Sequence, residues 1–408
     1  MSKMPSMATP QGSNRILFVI GNLDTGGAER HLLQTLPELQ RRGYAPSICT
    51  LSYRGELADR FEQHGIRVYA PPFFQTFRKL PRGLSSVVLP LSMMRLLGLM
   101  WTSKFDIIHF FLPLSYVVGG LVSFCAPVRH RVMSRRSMNT YQRNHPYASR
   151  IERWLHTKMD AVLGNSMAVV RQLHDEGVAS ERLALIYNGI DTAPDCDASV
   201  RQDTRTELHI GTDTVVLCLV ANILPYKGHA SLIEALAQVR DELPAEWVLL
   251  CVGEDRGIQA ELEQAAKRHG VDGHIQWLGQ RQNVNEILQA SDIGLLVSYE
   301  EGFSNAILES MAAGLPLVVT DVGGNGEAVL DGENGFVVPA GDPTSLGKAI
   351  ARLAGDADMR EAFGQKSRHR IEENFSLERC VDDYATLYQG LLDNASVPKA
   401  IRAKLRSE

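Results

Sequence analysis

Ile293-Gly294-Leu295-Leu296-Val297-Ser298-Tyr299-Glu300-Glu301-Gly302-Phe303-Ser304-Asn305-Ala306-Ile307-Leu308-Glu309 is the stretch on which the reading of this chain turns. Its first five residues form a short apolar run of β character, and from Ser304 onward the pattern opens a helix that runs to Ala313. A second apolar run, Leu317–Thr320, follows directly. The segment is therefore a strand–helix–strand unit, the element from which a helix-covered parallel sheet is built. Ligands of such sheets bind beyond the carboxyl ends of the strands, so the loop carrying Glu301 and Gly302 is the part to examine. Gly302 and the amides near Ser304–Ile307 form a helix N-terminus suited to an anion. Glu301 and Glu309, about two helical turns apart, accept hydrogen bonds from hydroxyl groups. The pattern predicts a ligand carrying both hydroxyls and phosphate. The plainer reading, acidic residues favoured by the helix dipole, accounts for Glu301 but not for the whole constellation.

The same alternation extends in both directions. Strands are expected at Val215–Val220, Trp247–Val252, Ile275–Leu278, Ile293–Val297, Leu317–Thr320 and Gly335–Val338, with a helix from about His229 to Arg240. Earlier in the chain they are expected at Ile16–Ile20, Ala45–Leu51, Arg67–Ala70, Asp106–Phe110, Arg131–Ser134, Ala161–Gly164 and Leu183–Tyr187. A helix over Glu29–Arg42 sets Leu32, Leu33, Leu36 and Leu39 on one side, with Pro37 as a candidate kink. Asn188-Gly189-Ile190-Asp191 and Pro194 read as a linker. The expected fold class is α/β, with two open sheets facing each other across a cleft. Its expected parts are a tail over 1–13, an N-terminal domain over 14–192, a C-terminal domain over 193–380, and a final helix and tail over 381–408. A length of 408 residues suits two domains with a core each.

With 44% apolar and 22% charged residues, wholesale disorder and collagen-like repeats are excluded. The net charge of −5 gives no reason to expect nucleic acid, yet it averages two unlike halves. Residues 1–195 carry 23 basic against 14 acidic side chains, a balance of +9, whereas residues 196–408 balance at −14. Over residues 78–158, 13 basic residues meet only Asp106 and Glu152. A first half of this kind is expected to meet an anionic partner; a solvated basic face is the alternative. Cys49, Cys125, Cys196, Cys218, Cys251 and Cys380 are scattered without a CxxC pair, the usage of a reducing, cytoplasmic compartment, and no metal-ligand cluster is evident. Phe110–Val128 lacks charges over nearly a membrane span, but Pro113, Gly119-Gly120 and Pro127 divide it into a strand end, loop and core helix. Leu84–Trp101, with Arg95 and Lys104, reads either as a helix lying on a membrane surface or as an ordinary covering helix.

Three further loops are candidates. Gly21-Asn22-Leu23-Asp24-Thr25-Gly26-Gly27-Ala28-Glu29 follows the first strand, and Gly26-Gly27 allows backbone amides to approach an anion; the spacing is not that of a dinucleotide fingerprint, and a structural turn is equally compatible. Asn222-Ile223-Leu224-Pro225-Tyr226-Lys227-Gly228 presents a lysine that either balances phosphate charge or sits as a surface residue. Gly164-Asn165-Ser166-Met167-Ala168 approximates a hydrolase nucleophile elbow, although Ser166 is more simply a helix N-cap.

In this order, Gly26-Gly27-Ala28-Glu29-Arg30, Asn188-Gly189-Ile190-Asp191, Pro225-Tyr226-Lys227-Gly228, Gly253-Glu254, Leu278-Gly279, the Glu301/Glu309 pair, Met311-Ala312-Ala313-Gly314-Leu315-Pro316, Gly323-Gly324 with Glu327, and Gly335-Phe336-Val337-Val338-Pro339 resemble the family 4 retaining glycosyltransferases. The resemblance covers roughly residues 14–390. It implies the GT-B fold, two Rossmann-like domains facing across a cleft, with a last helix near Val381–Leu392 crossing back to the first. It implies a nucleoside diphosphate sugar donor, UDP-linked, on the C-terminal domain and a glycan or lipid-linked acceptor on the N-terminal one, with no metal or other cofactor. By that likeness Glu309 accepts the ribose hydroxyls and Glu301 those of the sugar. Gly302, Phe303, Ser304 and Asn305 meet sugar and phosphate, Leu278 flanks the base, Lys227 holds the diphosphate, and Gly26 and Gly27 close over it. Two positions depart from the family: Asn222 stands where an arginine is common, and Ser134-Arg135-Arg136 where a histidine is, so Arg135 or Arg136 is expected to supply charge. His109 matches a family histidine, with a core imidazole as the other reading. The implied activity is hexosyl transfer in polysaccharide or glycolipid biosynthesis, peripheral on the inner face of the cytoplasmic membrane; the alternatives are a non-catalytic sugar-nucleotide or glycan-binding relative, or a hydrolase using Ser166.

Overall fold

Continuous apolar runs bounded by turn residues become strands buried on both faces, and the amphipathic stretches between them become the covering helices. A computed structural model describes residues 14–71, 85–191, 198–394 and 396–404. The chain divides into two compact units, Met1–Tyr187 with Cys380–Glu408, and Asn188–Arg379. In the first, the described elements run β1 (Asn14–Ile20), α1 (Gly27–Arg41), β2 (Tyr44–Thr50), α2 (Ala58–Gln63), β3 (Arg67–Tyr69), α3 (Ser85–Ser103), β4 (Ile107–Phe111), α4 (Pro113–Ser123), β5 (His130–Arg135), α5 (Pro146–His156), β6 (Ala161–Gly164), α6 (Met167–Asp175) and β7 (Leu183–Leu185). The second contains α7 (Ala198–Glu207), β8 (Val215–Val220), α8 (His229–Val239), β9 (Trp247–Val252), α9 (Gln259–His269), β10 (Ile275–Gly279), α10 (Val284–Gln289) and β11 (Ile293–Leu296). It continues through α11 (Asn305–Ala312), β12 (Leu317–Thr320), α12 (Asn325–Ala328), β13 (Gly335–Val338), α13 (Pro343–Gly355) and α14 (Ala357–Asn374). A last helix, α15, spans Leu377–Asn394, and from Cys380 it belongs to the first unit.

The first sheet has seven strands in the order β3-β2-β1-β4-β5-β6-β7, the second six in the order β10-β9-β8-β11-β12-β13. All pairings between named strands are parallel. In each sheet the order reverses once, at β1/β4 and at β8/β11, and the loops leaving those strands splay apart to open a crevice. Both units are thus Rossmann-like, as expected. The core of the second buries Leu217, Leu219, Leu249, Ile293 and Leu295 of its sheet under Leu232, Ile233 and Leu236 of α8.

Most expected strands appear within a residue or two of their bounds. Pro37 lies inside an unbroken α1. Phe110–Val128 is the end of β4 followed by α4, and no helix among the described residues is long and apolar enough to cross a membrane. Cys49, Cys125, Cys218 and Cys251 are free thiols. The tail over 1–13, Cys196, Pro194, Leu84 and the first basic residues Arg78, Lys79 and Arg82 lie outside the described residues.

Candidate functional site

The switch point of the second sheet gathers the residues that carry chemistry. After β8 the chain makes a one-turn 3-10 helix, Pro225–Lys227, and enters α8 through Gly228 at φ +78°. A Cβ at Gly228 would lie 2.0 Å from the Val297 carbonyl oxygen, so only glycine lets this turn press against the end of β11. The Tyr299 N–H then donates to the Tyr226 carbonyl at 2.8 Å and fixes the two loops together. The outcome is a direct pair: Lys227 Nζ donates to Glu301 Oε1 at 2.6 Å. Ser298 Oγ donates to the same oxygen at 2.7 Å. Both contacts fall on Oε1, so the lone pairs of Oε2 stay available to a hydroxyl donor. The side chains of Lys227 and Glu301 remain 17% and 12% exposed, which leaves the pair reachable by solute.

Other contacts hold the Glu301 loop from behind. Gly323, at φ +55°, passes so close that a Cβ there would lie 1.9 Å from the Glu301 carbonyl oxygen, and the Gly324 N–H donates to the Gly302 carbonyl at 2.8 Å. Gly302 is buried. Phe303 is buried against Phe375, ring centroids 5.4 Å apart. Asn188 Nδ2 donates to the Phe303 carbonyl at 3.2 Å and to Asn305 Oδ1 at 2.5 Å, a use of the linker asparagine that the sequence does not betray. Ser304 is the N-cap of α11 and makes no side-chain cap bond to the amides that follow it. Glu309 is half-buried on the second turn of α11. Leu278 is partly buried on β10, at the edge of the sheet. Asn222 is exposed, and its Oδ1 accepts the Glu254 N–H at 3.0 Å, tying the loops after β8 and β9 together.

His229 escapes a motif reading. It is 2% exposed, stacks on Trp277 with centroids 6.2 Å apart, and neither ring nitrogen has a hydrogen-bond partner among the described residues. Burial first, and the neighbouring Lys227 charge second, push its imidazole down to about 4. It is neutral at physiological pH and adds no cation beside Lys227.

The first unit disposes its candidates differently. Gly26 is the N-cap of α1, and Glu29, three residues on, turns its carboxylate back onto its own backbone N–H beside Gly26 and Gly27. Burial raises its pKa, opposed by that hydrogen bond and the Arg136 charge. The expectation that Arg135 supplies charge to a ligand is corrected. Arg135 is 1% exposed, with Nη2 donating to Glu152 Oε1 at 2.5 Å and Nη1 to Glu176 Oε1 at 2.6 Å. Burial pushes Glu176 up, but hydrogen bonds from His156 and Arg135 and the Arg135 charge outweigh it and hold the carboxyl far below its usual range. Glu152, His156 and Glu176 have ligand atoms within 4.8 Å of one another, a spacing suited to a metal, but the guanidinium already fills the cation's role there. Arg136 stands instead over the Phe111 ring, 5.8 Å from its centroid, and its charge is felt by Glu29, His31 and His109.

His109 proves to be the core imidazole. Fully buried, it meets Tyr388 Oη at 2.8 Å through Nδ1 and Ser134 Oγ at 2.7 Å through Nε2. His31 Nε2 meets Tyr384 Oη at 3.1 Å, so two histidine–tyrosine bonds fasten α15 to this unit. Ser166, offered as a nucleophile, is fully buried and its Oγ accepts the Val169 N–H at 3.2 Å; it is the N-cap of α6, and the hydrolase reading falls with that.

Comparison with known proteins agrees with this geometry. Residues 25–194 match the model described as Glycosyltransferase Family 4, and residues 214–356 that described as Glycosyl transferases group 1. The N-acetyl-alpha-D-glucosaminyl L-malate synthase of Bacillus anthracis is 28% identical over 57% of this chain and 60% of its own length. The D-inositol 3-phosphate glycosyltransferase of Corynebacterium glutamicum is 27% identical over 92% of this chain and 94% of its own. Among solved structures, HepE of Anabaena in complex with UDP superposes with a TM-score of 0.78 at 25% identity, covering 91% of this chain and 98% of that one. With both halves matched and the switch-point pair in place, the chain belongs to the family 4 glycosyltransferases of GT-B fold.

Proposed function

We propose that this chain transfers a hexosyl unit, with retention of anomeric configuration and without a metal ion, from a UDP-linked sugar to a glycan or lipid-linked acceptor of polysaccharide or glycolipid biosynthesis. The observation that carries the reading is the Lys227–Glu301 pair at the β8/β11 switch point, at the end of the sheet from which α11 starts. The choice of UDP leans on HepE, which was solved with UDP bound. In this reading Lys227 and the amides of Ser304 and Asn305 take the negative charge that grows on the diphosphate as the sugar leaves. Glu301 accepts sugar hydroxyls through Oε2, Glu309 accepts the ribose hydroxyls, and Leu278 and Asn222 lie toward the base. Gly302 and Phe303 shape the loop against the sugar, and Gly26 and Gly27 contribute from the first strand–helix turn. The sugar–phosphate bond breaks and the acceptor oxygen bonds to the same face of the anomeric carbon. The acceptor proton passes to the departing phosphate oxygen, so no protein nucleophile is needed. That fits a Glu301 whose Oε1 is already engaged by Lys227 and Ser298. The acceptor is read as bound by the basic N-terminal half, at the inner face of the cytoplasmic membrane.

A second reading, a non-catalytic sugar-nucleotide-binding relative, draws on Asn222, whose amide oxygen is spent on a backbone N–H where the family commonly has an arginine. A donor screen by mass spectrometry, with the anomeric configuration of the product read by NMR, separates the two. Turnover of an α-linked UDP-hexose to an α-linked product is expected. A β-linked product would refute retention, and UDP binding without transfer or slow hydrolysis would favour the second reading.

A further inference from the structure

Helices that cover a sheet ordinarily turn apolar residues inward and polar residues outward. Three consecutive helices of the first unit break that rule. On α3 the exposed positions include Leu91, Met94, Gly98 and Trp101; on α4 the outward positions are Leu114, Val117, Leu121 and Phe124. Both sets follow the same spacing, one helical face over three turns. On α5 the exposed face runs Tyr147, Arg150, Ile151 and Trp154, and Lys158 follows just past the helix. Trp101, Tyr147 and Trp154 are 59%, 83% and 48% exposed, an unusual cost for residues of that size unless something covers them.

These faces join into one surface. α4 packs against both α3 and α5. Trp101 Nε1 donates to the Cys125 carbonyl at 2.9 Å, and the Phe124 and Trp154 rings meet edge to face at 5.6 Å. The surface is held firmly from beneath: Tyr116 of α4 meets His156 of α5 at 3.0 Å, and Glu152 of α5 is pinned by Arg135. Exposed basic residues of the same segment are Lys104, Arg150, Arg153 and Lys158; Arg129 is exposed too, but its Nη2 donates to the Leu392 carbonyl of α15 at 2.6 Å. Arg131 lies 4.9 Å from the Phe124 centroid and Lys158 5.9 Å from that of Trp154. Between residues 85 and 158 the acidic side chains are Asp106, which is half-buried and accepts the Arg15 N–H, and Glu152, which is buried. Within that segment no exposed carboxylate stands beside the basic residues.

We infer that the outward face of α3, α4 and α5 docks on an anionic lipid bilayer, with Trp101, Phe124, Tyr147 and Trp154 entering the interfacial zone and the basic rim meeting lipid phosphates. Tryptophan and tyrosine favour that zone because an apolar ring and a polar edge are satisfied together there. Charge selects the occupant. A second copy seated on this face by a two-fold axis would set Arg150, Arg153 and Lys158 near their own counterparts, whereas an anionic surface neutralises them. The inference corrects the simpler expectation of one membrane-lying helix, since Arg95 of α3 donates to the Ala70 carbonyl within the unit instead of facing outward. It rests on the membrane-side reading of function but not on the identity of the donor.

The test is co-sedimentation of the full chain with vesicles of phosphatidylcholine and phosphatidylglycerol, and with phosphatidylcholine alone, while UDP binding is followed separately by calorimetry. The chain is expected to sediment with the anionic vesicles, less so at high salt, with a blue shift of tryptophan emission. Trp101→Ser/Trp154→Ser is expected to weaken that binding about tenfold or more, and Arg150→Glu/Arg153→Glu/Lys158→Glu to remove the preference for anionic lipid. Both variants should keep their thermal unfolding midpoint and their UDP affinity; failure of the wild-type chain to bind UDP would tell against the donor site and not against this surface. A chain that stays in solution with anionic vesicles overturns the inference, as does undiminished binding by Trp101→Ser/Trp154→Ser. A dimer that this double substitution dissolves would assign the face to a second copy instead.

Discussion

Arg135, the last residue of β5, and Lys227, in the loop after β8, each have a carboxylate about one hydrogen bond away, and they are opposite cases. The Arg135 side chain is 1% exposed and divides its donors between Glu152 and Glu176, which are themselves 1% and 4% exposed. Both Nη groups are taken by carboxylates and the side chain is sealed from solute. Lys227 meets a single carboxylate, remains 17% exposed, and keeps two of its three N–H donors for something else. A sealed charge network fixes the fold around it, whereas an open pair at a switch point is equipped to exchange protein contacts for ligand contacts. Exposure and unspent hydrogen-bonding capacity, more than the presence of an ion pair, separate the two.

That contrast can be broken at the sealed end first. Arg135→Ala strands two buried carboxylates, so equilibrium denaturation should show a loss of roughly 3–5 kcal/mol. A change below about 1 kcal/mol would mean the network is as dispensable as a surface pair. At the open end the cost should appear in rate. Lys227→Ala and Glu301→Ala should each lower turnover about 10²–10³-fold, the scale of removing one group that stabilises developing charge, with the fold intact by circular dichroism. Unfolding of either variant at room temperature would erase the distinction.

The smallest effect concerns the buried imidazole beside Lys227. His229 titrates near 4 in the folded chain against about 6.5 when unfolded, so below pH 6.5 the unfolded state binds the extra proton. Its contribution to stability is complete above pH 6.5 and is lost as the pH falls toward 4. His31 and His109, also buried and held neutral, act in the same sense. His229→Phe, which keeps a ring against Trp277, should remove about 1.4 kcal/mol per pH unit from the slope of unfolding free energy across that window. An unchanged slope would place the titration elsewhere.

The sheets were legible because their strands are buried on both faces and read as uninterrupted apolar runs; β8, β9, β12 and β13 fall where those runs fall. The Glu301 loop was legible because its residues lie close together in sequence and follow a strand. The partner of Arg135 was not, since Glu152 lies 17 and Glu176 41 positions away, and adjacent arginines do not announce which turns inward. The exposed apolar face of α4 was equally hidden: a segment without charges looks like core from every side, and only the packing shows that Leu114, Leu121 and Phe124 are left outside. Ser166 and His109 reverse the lesson, since each matched a functional pattern and each turned out to have spent its polar atoms inside the fold.

The most direct test of the central claim is a calorimetric titration of UDP into the wild-type chain and into Lys227→Ala. One UDP should bind per chain, and the substitution should weaken it about 10- to 100-fold, the worth of a charge-assisted hydrogen bond, with the unfolding midpoint unchanged. Equal affinity in the two proteins would contradict the assignment of the Lys227–Glu301 corner as the nucleotide-sugar site.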